Sequence, residues 1–137
     1  MQSAYTSGVL SVVASGNEGV SASTRSPASA PNAITVGAIN SNWAEDTYSN
    51  YGTVVDILAP GTSVLSSYIG SNSATASLTG TSMATPHVTG LALYLAVLEN
   101  INTPSALTSR IKALGTTGQV SNLSSGSPNL IAYNGNA

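Results

Sequence analysis

The chain has 137 residues, of which only 6% are charged, with three basic side chains against five acidic ones. Phosphate recognition needs a dense basic surface, so this charge balance argues against a nucleic-acid-binding protein. The length suits one compact domain, and the absence of cysteine excludes a disulfide framework and a thiolate zinc site.

The first half of the chain predicts a parallel sheet. Residues 2–7 are expected to close a short helix with Gly8 as its left-handed cap. The apolar runs that follow are continuous and rich in β-branched residues, as is typical of strands buried on both faces. We predict strands at residues 9–14, 33–38 and 54–58, and a β-hairpin formed by residues 64–69 and 74–78.

The second half predicts two helices. Apolar residues recur at helical spacing over residues 82–98, where Pro86 is tolerated only near the first turn. A second helix is expected to begin after Thr103 as N-cap, with Pro104 at its first position, and to stop at Gly115. Residues 116–137 are rich in Ser, Asn and Gly, and only Leu123, Leu130, Ile131 and Tyr133 are expected to anchor them. The most apolar run, residues 91–98, is too short to cross a bilayer, so no membrane association is expected.

Ser82 lies at the junction between a loop and the long helix, where the positive field of the helix N-terminus favours developing negative charge. For an arbitrary serine in this position, simple helix capping would be the better interpretation. The full string Gly-Thr-Ser-Met-Ala-Thr-Pro-His-Val at residues 80–88, however, resembles the nucleophile motif of the subtilisin-like serine proteases, or subtilases. The resemblance implies that Ser82 attacks the scissile carbonyl after a histidine accepts its proton.

A second block, Val-Val-Ala-Ser-Gly-Asn-Glu-Gly at residues 12–19, resembles the subtilase strand that ends in the oxyanion-hole asparagine. By this resemblance Asn17 would donate its side-chain amide to the oxyanion. Ala14, Ser15 and Gly16 would form one wall of the pocket for the residue before the cleaved bond. Taken alone, a Gly-Asn pair after a strand more often marks an ordinary turn.

Similar blocks continue along nearly the whole chain, and the proteinase K group, with its fungal alkaline proteases, provides the best match. The resemblance implies an α/β fold: the C-terminal part of a mainly parallel sheet flanked by helices, with a β-hairpin before the nucleophile helix. Residues 1–137 would then be the C-terminal portion of a peptidase domain.

Asp56 stands between Val55 and Ile57, where an isolated carboxylate is costly to bury unless it binds something. The resemblance to the proteinase K group implies a candidate structural calcium site, formed by Asp56 and the backbone carbonyls of Pro31 and Ala33. An equally good interpretation is that Asp56 accepts hydrogen bonds from loop N–H groups. No cofactor is expected to be required for catalysis.

The pattern departs from the family at the catalytic base. The aspartate and histidine contexts of the triad are absent, and His87, the only histidine, lies five residues after Ser82 on the same helix. Five residues correspond to about 140° of net rotation, so His87 is not expected to hydrogen-bond to Ser82. The resemblance implies that the matching histidine has a structural role. Glu45 and Asp46 have no match in the family and are expected to be solvated loop charges.

Two hypotheses about function follow. In the first, the chain is the C-terminal half of a serine endopeptidase, weakly active or inactive alone, which acts on peptides or proteins together with an N-terminal half. In the second, it is a non-catalytic fragment that serves as a binding or antigenic module. The parent enzyme is expected to be extracellular, although the first residues contain no basic or apolar segment typical of a secretory signal.

Overall fold

A computed structural model describes residues 1–136. It contains three α-helices and seven strands, together with a single 3₁₀ turn at Ala22–Thr24. In chain order the elements are α1 (Gln2–Thr6), β1 (Ser11–Ala14), β2 (Ala33–Ile39), β3 (Ile57–Pro60), β4 (Val64–Ser67), β5 (Thr75–Leu78), α2 (Thr81–Leu98), α3 (Pro104–Leu114), β6 (Thr116–Thr117) and β7 (Leu130–Ile131).

Five strands form one sheet in the order β1-β2-β3-β7-β6, and β4 and β5 form a separate antiparallel hairpin. The pairs β1–β2, β2–β3 and β3–β7 are parallel, whereas β6 and β7 are antiparallel. The predicted mainly parallel α/β architecture, with a hairpin before the long helix, is therefore confirmed.

Both faces of the sheet are covered, which explains the continuous apolar runs of its strands. Alternate residues of β2 and β3, including Ile34, Val36 and Ile57, pack against α2 and α3 in the larger core cluster. Ile39 and Leu58 point to the opposite face, where loop residues such as Ala22 and Val120 cover them.

The helices begin and end close to the predicted residues. Thr103 caps α3 by accepting a hydrogen bond from the Ala106 N–H, and Pro104 occupies the first turn. The side chains of Val88, Ala92 and Leu95 are buried on α2, as the spacing predicts, but Leu98 is 62% exposed. Within residues 1–136 no helix combines the length and apolarity that a membrane crossing would require.

Two strand predictions were wrong in detail. The third strand begins at Ile57 and not at residue 54, because the Val55 N–H bonds to the Gly52 carbonyl and closes a turn. Val55 is nevertheless buried, so the apolar residue at this position indicates a buried turn and not a strand. The C-terminal segment, for which no strand was predicted, contributes β6 and β7, which are only two residues long and carry no periodic signal.

Candidate active site

Ser82 is the second residue of α2 and is exposed to solvent. The residue before the helix, Gly80, has a φ of +153° and serves as N-cap. Its N–H donates to the Gly61 carbonyl over 2.8 Å, which anchors the loop that leads into the helix. Ser82 is thus presented at a fixed helix N-terminus, where the backbone dipoles favour negative charge.

Asn17 follows β1 and reaches the same helix end. Its Oδ1 accepts two hydrogen bonds from Thr81, one from the backbone N–H over 2.8 Å and one from the hydroxyl over 2.9 Å. Two donors on one oxygen fix the orientation of the amide, so Nδ2 is the end that is left for a ligand. Sequence positions 17 and 82 are therefore brought together, with the residue next to Ser82 in direct contact with Asn17.

The predicted pocket wall is held on both sides. The Ser15 N–H donates to the Val36 carbonyl over 2.9 Å, which extends the pairing of β1 with β2. The Gly16 N–H donates to the Thr81 hydroxyl over 3.2 Å and joins the wall to the nucleophile helix. Ser15 is fully buried, and its hydroxyl finds no hydrogen-bond partner among residues 1–136.

His87 does not act on Ser82 in this arrangement. Its Nδ1 lies 2.9 Å from the Met83 carbonyl oxygen, one helical turn back, and its ring is exposed. Since His87 is the only histidine, the chain places a candidate nucleophile and a candidate oxyanion donor near each other but brings no imidazole to them.

Sequence reasoning missed the contribution of Asn50, which is fully buried beside the Asn17 turn. Its Oδ1 accepts from the N–H groups of Glu18 and Val20, at 3.1 and 3.0 Å, and its Nδ2 donates to the Ser15 carbonyl over 3.0 Å. The sequence carries no local signal for this role, because the partners of Asn50 lie 30 to 35 residues earlier in the chain.

Glu18 completes this network on the solvent side. Asn50 Nδ2 donates to Glu18 Oε2 over 2.6 Å, and the Arg25 guanidinium lies 3.7 Å from the same oxygen. The hydrogen bond from Asn50 is the main cause that lowers the pKa of the Glu18 carboxyl; desolvation opposes it in part, and the charge of Arg25 adds a smaller lowering effect. Glu18 is therefore held ionised next to the candidate oxyanion turn.

The prediction that Glu45 and Asp46 are solvated loop charges was wrong. Glu45 is 4% exposed, and its carboxylate accepts from the Ser124 N–H and the Ser127 hydroxyl, which ties the C-terminal segment to the sheet.

Asp46 is half-buried, and its Oδ2 accepts from the hydroxyls of Thr62 and Tyr48. Burial raises the pKa of the Tyr48 phenol, so Tyr48 stays neutral beside this carboxylate.

At the candidate calcium site, Asp56 borders a cavity of about 170 Å³ together with Pro31 and Ala33. Both carboxylate oxygens are already engaged: Oδ2 accepts from the Thr35 N–H over 2.8 Å, and Oδ1 lies 2.5 Å from Lys112 Nζ. An ammonium this close repels a divalent cation. Lys112 therefore occupies one of the two carboxylate oxygens that a cation at this site would use, and the calcium site stays a prediction.

Comparisons with known proteins agree with this geometry. A family model described as "Subtilase family" matches residues 1–119. "Alkaline proteinase" of Hapsidospora chrysogena is 62% identical over 99% of this chain, and "Alkaline protease 1" of Aspergillus clavatus is 60% identical over all of it. In both cases this chain spans 34% of the relative's length, about a third.

Among solved structures, a cold adapted subtilisin-like serine proteinase superposes with a TM-score of 0.89 at 38% sequence identity. The match covers 97% of this chain and 48% of that protein. The order of strands, the placement of Ser82 at the start of α2 and the family match along most of the sequence agree with one another, and the chain belongs to the subtilase family of serine peptidases.

Proposed function

We propose that this chain is the C-terminal part of a serine endopeptidase domain and that Ser82 is its nucleophile. The observation that supports this most is the hydrogen-bonded unit of Asn17, Thr81 and the start of α2, which sets a free amide donor beside the nucleophile position. Donors aimed at a developing oxyanion are the largest single contribution in acyl transfer.

In the proposed reaction, Ser82 Oγ attacks the carbonyl carbon of a peptide bond and loses its proton to a histidine. The tetrahedral oxyanion accepts a hydrogen bond from Asn17 Nδ2. The C–N bond then breaks, the same histidine protonates the leaving amine, and water releases the acyl group from Ser82. An N-terminal segment would supply the histidine and its orienting aspartate, since the sole histidine of this chain bonds elsewhere.

The surface supports the need for such a segment. Strand β1 lies at the edge of the sheet. Beside it, apolar residues of β1 and α2 line a concavity of about 340 Å³. Leu93 and Val97 on the neighbouring face of α2 are 66% and 84% exposed. An open sheet edge next to exposed apolar side chains favours association with another segment. We infer that the N-terminal segment covers this face and that the assembled enzyme is extracellular.

The test is labelling of Ser82 with a fluorophosphonate probe, which reacts with activated serine nucleophiles. The chain is labelled alone and after refolding with the N-terminal segment of the Aspergillus clavatus relative, with Ser82→Ala as control. We expect labelling that requires both Ser82 and the added segment. If the stable complex reacts no faster than the Ser82→Ala variant, the proposed function is wrong. Equally fast labelling of the chain alone would contradict the requirement for an external base.

For the cation site, we propose that the Lys112 ammonium supplies the positive charge at Asp56 and that calcium and Lys112 compete for this carboxylate. Asp56 and Lys112 side chains are 22% and 42% exposed, so the ion pair is partly screened by water and its own contribution to stability is modest. The competition, in contrast, is direct, because both cations need Oδ1.

Replacing Lys112 with methionine, which keeps the length of the side chain but removes its charge, is therefore expected to make the melting temperature respond to calcium. The unaltered chain should melt at the same temperature with calcium and with chelator. Asp56→Asn in the Lys112→Met background should remove the response. A calcium-dependent melting temperature in the unaltered chain would show that Lys112 does not exclude the metal.

A further inference from the structure

Asn50 contacts the candidate oxyanion turn through both its backbone and its side chain. In addition to the three side-chain hydrogen bonds to Ser15, Glu18 and Val20 described above, its backbone N–H donates to the Gly16 carbonyl over 2.9 Å. Its second side-chain N–H donates to the Glu18 carboxylate. The amide thus uses both donors and both acceptor positions, which is the full hydrogen-bonding capacity of an Asn side chain.

These partners lie on both sides of Asn17. Ser15 and Gly16 precede it, and Glu18 and Val20 follow it, so Asn50 fixes the backbone on either side of Asn17 without a hydrogen bond to Asn17 itself. Thr81 meanwhile fixes the side-chain oxygen of Asn17 from the opposite direction. With the backbone and Oδ1 both held, the direction of Nδ2 is determined.

Asn50 is itself held by the sheet. The Ser49 hydroxyl accepts from the Ala38 N–H of β2 over 3.0 Å and donates to the Asn50 carbonyl over 3.2 Å. Both residues are buried. The support therefore runs from a central strand to the turn without passing through a mobile surface group, which is the kind of second layer that a catalytic donor needs.

We propose that Asn50 is a positioning residue that holds Asn17 Nδ2 in the direction of the oxyanion. This proposal rests on the proposed function of Ser82 and Asn17. Asn50 is shielded from solvent and does not contact the substrate, and its effect passes through Asn17. A donor displaced by about 1 Å can cost on the order of 10²-fold in rate, so loss of Asn50 should slow acylation by about 10- to 100-fold.

The first measurement does not depend on activity. In the ¹⁵N-labelled chain, the side-chain amide signal of Asn17 is followed in the unaltered protein and in Asn50→Ala. We expect a restrained, dispersed signal in the former and a mobile signal near the free-amide position in the latter. Asn50→Asp is made in a Glu18→Gln background, which avoids two carboxylates facing each other; it retains the bonds accepted from the N–H groups of residues 18 and 20 and loses the bond donated to Ser15, so an intermediate result is expected. If Asn50→Ala does not fold, the Asn17 signal in this second variant decides whether Asn50 positions Asn17.

The matched control is Asn129→Ala. Asn129 also bridges backbone groups, since its Oδ1 accepts from the Val120 N–H over 2.9 Å and its Nδ2 donates to the Val120 carbonyl over 3.1 Å. Its replacement should lower stability and leave the Asn17 signal unchanged. An unchanged Asn17 signal in Asn50→Ala as well would overturn the proposal, whether or not Ser82 proves reactive.

The second measurement is the rate of Ser82 labelling in the complex with the N-terminal segment. Asn50→Ala should slow labelling in the presence of Asn17 and have almost no further effect in an Asn17→Ala background, since a residue that acts through another is non-additive with it. Equal slowing in both backgrounds would show that Asn50 acts on stability alone. If no variant labels at all, the proposed function fails, and the Asn17 signal still decides whether Asn50 positions it.

Discussion

Asn17→Ala is expected to slow acylation of Ser82 by about 10²–10³-fold in the assembled enzyme and to lower stability, because the N–H and the hydroxyl of Thr81 lose their acceptor. This factor is what removal of one oxyanion-hole donor costs in subtilisin, a member of the same family, and it is carried over from that enzyme. The physical reason is that Nδ2 donates to charge that exists only in the transition state. The loss should therefore fall on kcat and leave KM nearly unchanged.

The measurement is a comparison of kcat and KM on a peptide substrate for the complex and its Asn17→Ala variant, with Asn42→Ala as the matched control. Asn42 is exposed in the turn after β2, far along the chain from the site, and its replacement should change neither constant. A rise in KM with kcat preserved would mean that Asn17 binds the substrate ground state and is not an oxyanion donor.

Gly16→Ala is expected to have the largest effect on stability. Gly16 has a φ of +106°, which side chains rarely adopt, and a Cβ at this position would lie 2.2 Å from Asn50 Nδ2. Asn50 cannot move aside because its amide is buried and fully hydrogen-bonded. Backbone strain and overpacking each cost about 1–3 kcal/mol, so the free energy of unfolding should fall by about 2–6 kcal/mol.

Urea unfolding monitored by circular dichroism would measure this loss. Gly90→Ala is the matched control: Gly90 lies in α2, and nothing stands within 4 Å of its added Cβ. There the same substitution should stabilise the chain by about 0.5–1 kcal/mol, because alanine is the better helix former. If both variants unfold at the same urea concentration, Asn50 does not press against Gly16 as described.

The elements that sequence predicts well are those whose signals are local. Residues close together in the sequence determine two of these features: the capped start of α3 at Thr103 and Pro104, and the apolar stripe of α2. Both lie near the expected positions. The structure also places Ser82 and Asn17 at one helix end, although their catalytic roles stay predictions.

The side-chain contacts that could not be predicted from the sequence join positions far apart in the chain. Glu45 was assigned to solvent because its partners, Ser124 and Ser127, come 79 and 82 residues later. Asn50 reaches Glu18 and Ser15 across 32 and 35 residues, and a single asparagine gives no hint of that distance. The same holds for Lys112, which meets Asp56 from 56 residues away and changes the interpretation of the calcium site.

The hydrogen bonds between Asn17 and Thr81 keep the proposed oxyanion donor next to Ser82 within this chain. The proposed catalytic groups are therefore distributed over two parts of the enzyme. The proposed nucleophile, Ser82, and the proposed oxyanion donor, Asn17, belong to this chain, and neither side chain changes its charge in the neutral pH range. The proton acceptor would come from the N-terminal segment. In an assembled enzyme, the acidic limb of the pH–rate profile would therefore be a property of that segment alone, so exchanging it for one from another relative would shift the pH optimum while the nucleophile stayed the same.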